Sequence, residues 1–226
     1  MTLLIFDCDG VLVDSEIIAF DVLAQMLASL GLNMSFEECR RRFMGRRTPE
    51  VLAEIEKELG RPIPAETGAR MKALLFARLR HELKPVAGVA ETLAHLPRPV
   101  CVASSSAPER IALSLEVTGL APIFGDHVFS AEQVAHGKPA PDLFLFAAQS
   151  MGVKPEASIV IEDSPAGVTA AHRAHMRVIG FAGAGHADAA LADSLRDAGA
   201  DVFLTKMADL PDIIARFVGG KAMTPA

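Results

Sequence analysis

Pairs of acidic residues end two short apolar runs of the chain, and their spacing points to chemistry that uses a cation. Each pair follows its run directly: Asp7 and Asp9 after Leu3–Phe6, and Glu162 and Asp163 after Ser158–Ile161. Such runs predict buried parallel strands, whose carboxyl ends meet at one rim of a sheet. Carboxylates gathered there need positive charge between them, and their hard oxygen atoms are ligands that Mg²⁺ prefers. The sequence therefore predicts a magnesium site at this rim.

Two further groups at the ends of predicted elements could hold an anion. Val100–Ala103 runs into the hydroxyl-rich turn Ser104-Ser105-Ser106, in which Ser106 is expected to cap the next helix and Ser104 to contact a ligand. Lys138 stands between a glycine and a proline ahead of an apolar helix, and a rigidly placed ammonium is a compact point charge for phosphate. Together with the carboxylates, these groups predict a metal site that faces a phosphate group.

Taken singly, these features also have plainer interpretations. A lone D-x-D-G is often a solvated strand end, Ser106 is more often only a helix cap, and a lysine is usually a surface charge. Their recurrence at the ends of successive elements favours one common site.

Strand-like runs alternate with amphipathic segments, which is typical of a parallel sheet covered by helices. After Leu3–Phe6, the candidate strands are Val100–Ala103, His127–Phe129, Ser158–Ile161, Val178–Phe181 and Asp201–Leu204. Seventy residues without a convincing strand separate Asp14 from Pro85, far more than one crossover helix needs. The sequence therefore predicts an α/β catalytic core at 1–14 and 86–226, with a helical cap domain inserted at 15–85.

Helical signals divide the insertion into four segments. Apolar residues recur at helical spacing from Glu16 to Leu30 and stop at Gly31. The remaining signals are a capping box at Ser35 and Glu38 for a helix ending near Met44, Thr48 as N-cap before Pro49, and a fourth helix over Thr67–Glu82. We expect these helices to cover the acidic rim, although a helical insertion can also pack elsewhere on the core. Near the C-terminus, Gly219-Gly220 predicts the end of the last helix.

Composition excludes several classes of function. The 226 residues carry 22 basic and 28 acidic side chains, and this net charge of −6 argues against a sequence-independent nucleic-acid binder. The three cysteines are widely spaced and indicate neither disulfides nor a thiolate zinc site, and the seven histidines show no compact metal pattern. No apolar stretch reaches the length of a membrane span. We expect a cytoplasmic protein without membrane or nucleic-acid partners, monomeric or at most weakly dimeric.

Together, these motifs resemble the haloacid dehalogenase superfamily of phosphohydrolases, in the subgroup with a helical cap after the first strand. The resemblance covers nearly the whole chain and depends on D-x-D-G-V-L-V-D-S at Asp7, on Ser104, on G-K-P-x-P-D around Lys138 and on E-D-S-x-A-G at Glu162. It implies a Rossmann-like parallel sheet core with an inserted helical-bundle cap, a Mg²⁺ cofactor and a small phosphate ester as substrate.

The resemblance also implies a role for each matching residue. The expected catalytic residues are the nucleophile Asp7, the general acid/base Asp9, and the phosphoryl-binding residues Ser104 and Lys138. The expected metal ligands are Asp7, Asp9 through its main-chain carbonyl, Glu162 and Asp163. Attack by Asp7 on phosphorus would form an aspartyl-phosphate, which divides one difficult displacement into two easier ones.

The cap contains the densest basic cluster of the chain: Arg40, Arg41, Arg42, Arg46 and Arg47. The planar fork of arginine suits a carboxylate or a second phosphate. In related caps the turn around Gly45 reads the substrate, so the candidate substrate-binding residues are Gly45, Arg46, Arg47 and Ser105. This hypothesis implies an anionic sugar phosphate. A solvated position is an equal alternative for Arg46 and Arg47 and the expected position for the other three arginines.

The predicted activity is Mg²⁺-dependent hydrolysis of a small phosphorylated metabolite, a sugar phosphate or a sugar-acid phosphate. A β-phosphoglucomutase-like mutase is the alternative, because it would share every core motif. Related mutases carry a histidine in the first cap helix, and Ile17-Ile18-Ala19-Phe20 has none, which favours hydrolysis. A non-catalytic phosphometabolite-binding protein fits less well, because it has no need of both Asp7 and Asp9.

Overall fold

Short apolar runs form the strands of a parallel sheet in the computed structural model, which describes residues 2–96 and 99–218. Six strands are found in these residues: β1 (Leu3–Phe6), β2 (Val100–Ser104), β3 (Val128–Ser130), β4 (Ser158–Glu162), β5 (Arg177–Phe181) and β6 (Val202–Leu204). They lie in the order β3-β2-β1-β4-β5-β6, and each neighbouring pair is parallel. The strands that precede the two acidic pairs, β1 and β4, are therefore adjacent at the centre of the sheet.

Both faces of the sheet are buried, which explains why its strands are almost wholly apolar. Leu4 and Phe6 of β1 belong to the hydrophobic cluster on one face, and Leu3 and Ile5 belong to the cluster on the other. All four side chains are fully buried. A rigid central strand of this kind fixes the position of the residues that follow it.

The predicted strands are all present, with small shifts at their ends. β3 is Val128–Ser130 rather than His127–Phe129, because its register pairs Ser130 with Ser104 at the carboxyl ends of β3 and β2. β6 begins one residue later than predicted, at Val202. The predicted helix end at Gly219-Gly220 lies outside the described residues.

Helices cover both faces of the sheet, as expected for the α/β class. Between β1 and β2 lie α1 (Glu16–Ser29), α2 (Phe36–Phe43), α3 (Thr48–Leu59), α4 (Ala65–Glu82) and α5 (Val89–His95). The later helices are α6 (Pro108–Val117), α7 (Ala121–Phe124), α8 (Asp142–Ser150), α9 (Pro165–Arg173), α10 (Ala189–Asp197) and α11 (Leu210–Val218). Within 2–96 and 99–218, no helix has the length and apolar character that a membrane crossing requires.

The cap helices α1–α4 pack around a hydrophobic cluster of their own. Its buried residues are Phe20, Leu23, Met26, Leu27, Met34, Cys39, Phe43, Val51 and Ile55. Ile18 of α1 and Leu79 of α4 instead join the cluster of the sheet, and so they anchor the cap to the core. This packing confirms the fold class, while the division into domains at 14/15 and 85/86 stays a prediction.

The starts of the cap helices partly follow the sequence signals. Oγ of Ser35 accepts a hydrogen bond from the backbone N–H of Glu38, as predicted for α2. The predicted N-cap at Thr48 was wrong, because the N-cap of α3 is Arg47. The backbone carbonyl of Arg47 accepts the first helical hydrogen bond, from the N–H of Val51, so Thr48 is already helical. The side chain of Thr48 lines the cavity described below instead.

Candidate active site

A buried chain of charges connects β1 and β4 through Lys138. Nζ of Lys138 donates hydrogen bonds to Oδ1 of Asp7 at 2.7 Å and to Oε2 of Glu162 at 2.9 Å. The side chains of Lys138, Asp7 and Glu162 are 1%, 9% and 0% exposed. Asp7 follows β1 and Glu162 ends β4, so the parallel pairing of these strands brings the two carboxylates to one rim.

Burial and neighbouring charge set the protonation of this group. Burial raises the pKa of Asp7 well above its ordinary value; the charge of Lys138 opposes the shift, and those of Glu162 and Asp163 add to it. Burial alone would lower the pKa of Lys138, but Asp7 and Glu162 raise it above its ordinary value. Lys138 is therefore a fixed cation, whereas Asp7 needs further positive charge nearby to remain ionised.

Asp7, Glu162 and Asp163 form an acidic cluster that can hold a metal ion. One carboxylate oxygen from each lies within 4.8 Å of the others. Glu162 is engaged by Lys138 and by the hydroxyl of Ser164, whereas Oδ2 of Asp163 is buried without a hydrogen bond. A buried carboxylate oxygen without a partner is costly unless a cation binds it. The donor set therefore fits a divalent cation that takes hard oxygen ligands, with Asp7 and Asp163 best placed to hold it.

Gly10 allows Asp163 to approach the turn after β1. Its φ is +78°, a conformation that residues with a side chain rarely adopt. A Cβ atom at Gly10 would lie only 1.8 Å from Oδ2 of Asp163. The glycine of the first motif is thus required both for the turn and for the space that the second acidic pair occupies.

The carboxylate of Asp9 is not among the oxygens of the acidic cluster, and four side chains donate hydrogen bonds to it. Oδ1 accepts hydrogen bonds from Oγ of Ser15 at 2.5 Å and from Nη2 of Arg110 at 2.6 Å. Oδ2 accepts from Oγ of Ser106 at 2.6 Å and of Ser104 at 3.4 Å. Burial alone would raise the pKa of Asp9, but the charge of Arg110 and these hydrogen bonds hold it below its ordinary value. The side chain of Asp9 is therefore an ionised carboxylate outside the metal-binding group.

The predicted capping role of Ser106 was wrong. Helix α6 begins at Pro108, its N-cap is Ala107, and no side-chain hydrogen bond caps it. Because proline at the first helical position starts the helix one residue later, Ser106 is left outside it and its hydroxyl reaches Asp9.

Three groups near these carboxylates were not predicted from the sequence: Arg110, Glu16 and His186. Burial raises the pKa of Glu16 to about 8, so its carboxyl group is mostly protonated at neutral pH. Nε2 of His186 lies 3.2 Å from Oδ2 of Asp163 without hydrogen-bond alignment, and burial lowers the pKa of His186. The sequence signals for two of them were weak. Arg110 is a single cation in the first turn of the helix after the serines, and Glu16 is an acid at the start of the first cap helix.

A cavity of about 790 Å³, including its open mouth, separates the cap from the core. The core contributes five of the predicted site residues, Asp7, Asp9, Ser104, Ser105 and Asp163, together with Ser106 and Arg110. The cap contributes Glu16 and a largely apolar surface from α1, α3 and α4. As expected, the cap covers the acidic rim.

The turn around Gly45 lies against the core. The backbone carbonyl of Gly45 accepts a hydrogen bond from Oγ of Ser105 at 2.9 Å, and a Cβ atom at Gly45 would lie 2.4 Å from Oγ of Ser164. Arg46 lines the cavity, and its Nη1 donates to Oε2 of Glu54 at 2.6 Å. Arg47 does not belong to the cavity lining: its guanidinium pairs with Glu50 and donates to a carbonyl oxygen of the core.

The remaining cap arginines divide between surface and interface. Arg41 is exposed, as predicted. The prediction of a solvated position was wrong for Arg40, whose side chain is only 12% exposed and donates to Oδ2 of Asp188 at 2.5 Å. Asp188 is the N-cap of α10, so Arg40 ties the cap to the core.

The chain is similar to proteins of one known family. The sequence model of the haloacid dehalogenase-like hydrolase family matches residues 1–175. The chain is 31% identical to the 6-phosphogluconate phosphatase of Escherichia coli, over 78% of this chain and 80% of that protein. It is 43% identical to the beta-phosphoglucomutase of Mycobacterium bovis, but over 49% of this chain and 42% of that one.

A solved structure extends the likeness to almost the full chain. A haloacid dehalogenase-like protein of unknown function from Agrobacterium tumefaciens is 41% identical, with a TM-score of 0.83 over 96% of this chain and 99% of that one. The match includes the cap and the core alike. The chain therefore belongs to the haloacid dehalogenase-like hydrolases, which confirms the resemblance seen in its motifs and the predicted enzyme class, a phosphoric monoester hydrolase.

Proposed function

We propose that this hydrolase is a Mg²⁺-dependent phosphatase of a small phosphorylated metabolite, a sugar phosphate or sugar-acid phosphate, that acts through an aspartyl-phosphate. The observation that carries the proposal is the buried group in which Asp7 contacts Lys138, near the oxygen of Asp163 that accepts no hydrogen bond. A relative of similar length is named a phosphatase of 6-phosphogluconate, which supports a substrate of this class.

Asp7 acts as the nucleophile. Its carboxylate oxygen forms a bond to phosphorus while the bond from phosphorus to the leaving alcohol oxygen breaks, and an aspartyl-phosphate results. When bound at Asp7 and Asp163, Mg²⁺ would supply positive charge to the phosphoryl oxygens and favour the ionised form of Asp7. Asp7 and Glu162 keep Lys138 protonated, so its ammonium group stabilises the negative charge on the phosphoryl group throughout the reaction.

Asp9 moves protons in both halves of the reaction. It donates a proton to the departing alcohol oxygen and then takes one from the water that attacks the aspartyl-phosphate. Its hydrogen bonds with Arg110 and Ser106 favour the carboxylate, which suits the second step. The dianionic phosphate of an arriving substrate favours protonation for the first step, because nearby negative charge raises a carboxyl pKa.

The serine turn after β2 positions the phosphoryl group. Ser104 is almost fully buried at the strand end, and both Ser104 and Ser105 line the cavity. Ser105 also binds the carbonyl of Gly45, so the same turn contacts the cap. Hydroxyl donors at this position can bind the equatorial oxygens of a transferring phosphoryl group.

A phosphoglucomutase-like activity is the alternative that shares these residues, and a relative of that name matches about half of the chain. In the proposed hydrolase the aspartyl-phosphate is open to water, and the cap offers no histidine from 17–20, where Ala19 and Phe20 line the cavity. A non-catalytic binding role leaves the paired and buried acids Asp7 and Asp9 without a purpose. Cytoplasmic location and a monomeric state stay predictions.

The test is a phosphate-release screen over a few dozen phosphometabolites, with and without Mg²⁺, on the parent protein and on Asp7→Asn. Metal-dependent release that Asp7→Asn abolishes would support the proposal. Isomer formation faster than phosphate release would establish the mutase instead. Absence of both activities in a folded protein would reject the proposal.

A further inference from the structure

The cap surface above the catalytic residues is mostly apolar. Its apolar lining residues are Ala19, Phe20, Val22, Leu23, Phe43, Val51, Leu52, Met71 and Leu75. Among the described cap residues, only Glu16, Arg46 and Thr48 add polar side chains to this lining. The part of a substrate that lies farthest from phosphorus therefore meets hydrocarbon, with Arg46 as the one cation of the cap within reach.

Arg46 is neutralised inside the cap. Oε2 of Glu54 accepts a hydrogen bond from Nη1 of Arg46 at 2.6 Å, and Oε1 accepts one from Arg42 at 2.9 Å. Arg42 also donates to Glu58 at 2.8 Å. The hydrogen bond from Arg46, and after it the one from Arg42, lowers the pKa of Glu54. Glu54 is therefore a carboxylate at neutral pH. The two arginines and two glutamates balance, so the cap presents no net positive charge to the cavity.

The cation that the core adds to the cavity lining is also engaged. Arg110 donates to Oδ1 of Asp9 at 2.6 Å, and their side chains are only 15% and 10% exposed. A carboxylate at the far end of a substrate would lose its hydration against the apolar surface without gaining an unpaired cation. Burial of a charge without a partner is strongly unfavourable, whereas an uncharged ring or alkyl group gains from the same surface.

We propose that Glu54 is a specificity-determining residue, which by holding Arg46 restricts the enzyme to phosphate esters whose far end is uncharged. This inference rests on the proposed phosphatase function and narrows its substrate to neutral sugar phosphates or similar alcohols. It reverses the hypothesis, drawn from the sequence, that Arg46 reads an anionic sugar phosphate.

The test compares two esters that differ at one end only: sorbitol 6-phosphate, which ends in an alcohol, and 6-phosphogluconate, which ends in a carboxylate. We expect the parent enzyme to prefer the alcohol by at least about tenfold in kcat/KM. Glu54→Gln frees Arg46 and should raise the acid-to-alcohol ratio about fivefold, mainly through a lower KM for the acid. The matched control is Glu58→Gln, which disturbs Arg42 but leaves the Arg46–Glu54 pair, and which should leave the ratio within about twofold of the parent.

A double variant assigns any gain to Arg46. In Glu54→Gln/Arg46→Ala the ratio should return to that of the parent, which a general loosening of the cap would not produce. A parent enzyme that prefers the acid, or a ratio that Glu54→Gln leaves unchanged, would overturn the inference. If Glu54→Gln does not fold, Glu54→Ala takes its place: the same rise in the ratio would support the inference, and an unchanged ratio would overturn it. Failure of every ester to release phosphate would instead reject the proposed function.

Discussion

The ion pairs on the core side of the cavity are buried, whereas the ion pair on the cap side is partly exposed. On the core side, Asp7 pairs with Lys138 and Asp9 with Arg110, and each of these side chains is at most 15% exposed. On the cap side, the ion pair between Arg46 and Glu54 is 30% and 36% exposed and stands beside an apolar surface. Buried charges depend strongly on their partners, whereas partly exposed ion pairs contribute little to stability.

This difference suggests that the core side carries out catalysis and that the cap side determines substrate specificity. The core side offers a fixed arrangement of charge that suits a phosphoryl group, whatever alcohol carries it. In the proposed mechanism, the cap side contacts only that alcohol. Changes in the core should therefore abolish turnover on all esters or weaken the fold, and changes in the cap should alter which ester is preferred.

The largest effect is expected from Asp7→Asn, which keeps the shape of the side chain but removes the proposed nucleophile. We expect kcat to fall by at least about 10⁴-fold on every ester, the scale seen when a covalent nucleophile is removed. Steady-state phosphate release measures the loss, and circular dichroism verifies the fold. Activity within tenfold of the parent would break the proposed division, because the chemistry would then lie elsewhere.

Asp9→Asn should lower kcat/KM for a sugar phosphate by about 10²- to 10⁴-fold, because its alcohol needs a proton to leave. For p-nitrophenyl phosphate the loss in kcat/KM should be much smaller, since nitrophenolate leaves without a proton. The comparison of the two esters is internal to one variant and needs no separate control for folding. Equal losses on both esters would show that Asp9 is not the acid of the first step.

Arg110→Ala removes the partner of a buried carboxylate and should lower the free energy of unfolding by about 3 kcal/mol at neutral pH. The pKa of Asp9 is lowered in the fold, so this pair stabilises above the ordinary pKa of 3.8 and its contribution disappears as the pH falls through the lowered value. Urea unfolding of both proteins at decreasing pH should show the difference shrinking. A difference that grows in acid would contradict the assigned pair.

Asp163→Asn should raise the Mg²⁺ concentration for half-maximal activity by at least about tenfold. Removal of metal from the parent protein with a chelator should abolish phosphate release, and added Mg²⁺ should restore it. Titration of Mg²⁺ into both proteins measures the shift. An unchanged Mg²⁺ requirement would exclude Asp163 as a ligand.

The smallest effect is expected from Lys72→Ala, at a pair that joins the cap to the core. Lys72 binds Glu109, the neighbour of Arg110 on α6, but the two side chains are 60% and 48% exposed. The free energy of unfolding should change by no more than about 1 kcal/mol. A fall in the free energy of unfolding as large as that of Arg110→Ala would contradict the expected difference between buried and exposed ion pairs.

Short local patterns were sufficient to predict which acidic residues meet at the rim of the sheet, while their catalytic and metal-binding roles stay predictions. Asp7, Glu162 and Asp163 each lie at or just after the carboxyl end of an apolar strand, and parallel topology alone brings such positions to one rim. Lys138 was recognisable because glycine and proline fix the backbone around it. The approximate positions of the cap helices could also be predicted, since each helix has apolar residues at helical intervals.

What the sequence could not show depends on contacts between distant elements. Arg110 meets Asp9 across 101 positions, and Arg40 meets Asp188 across 148, so no local pattern marks either pair. Arg46 lies in the turn before α3 and Glu54 lies on α3, and only the structure shows that this turn brings the guanidinium of Arg46 to the carboxylate of Glu54. The capping signals at Thr48 and Ser106 failed because α3 begins at Thr48 itself, whereas α6 begins two residues after Ser106.

The central claim is that Asp7 carries the phosphoryl group, and chemical trapping tests it most directly. Asp9→Asn, which slows hydrolysis of the intermediate, is mixed with p-nitrophenyl phosphate and Mg²⁺, quenched with acid and reduced with borohydride, which converts an acyl phosphate to an alcohol. Peptide mapping should then find homoserine at position 7, and none when Asp7 is also changed to Asn. Nitrophenol release without homoserine at position 7, or with a reduced carboxyl group elsewhere, would contradict the account.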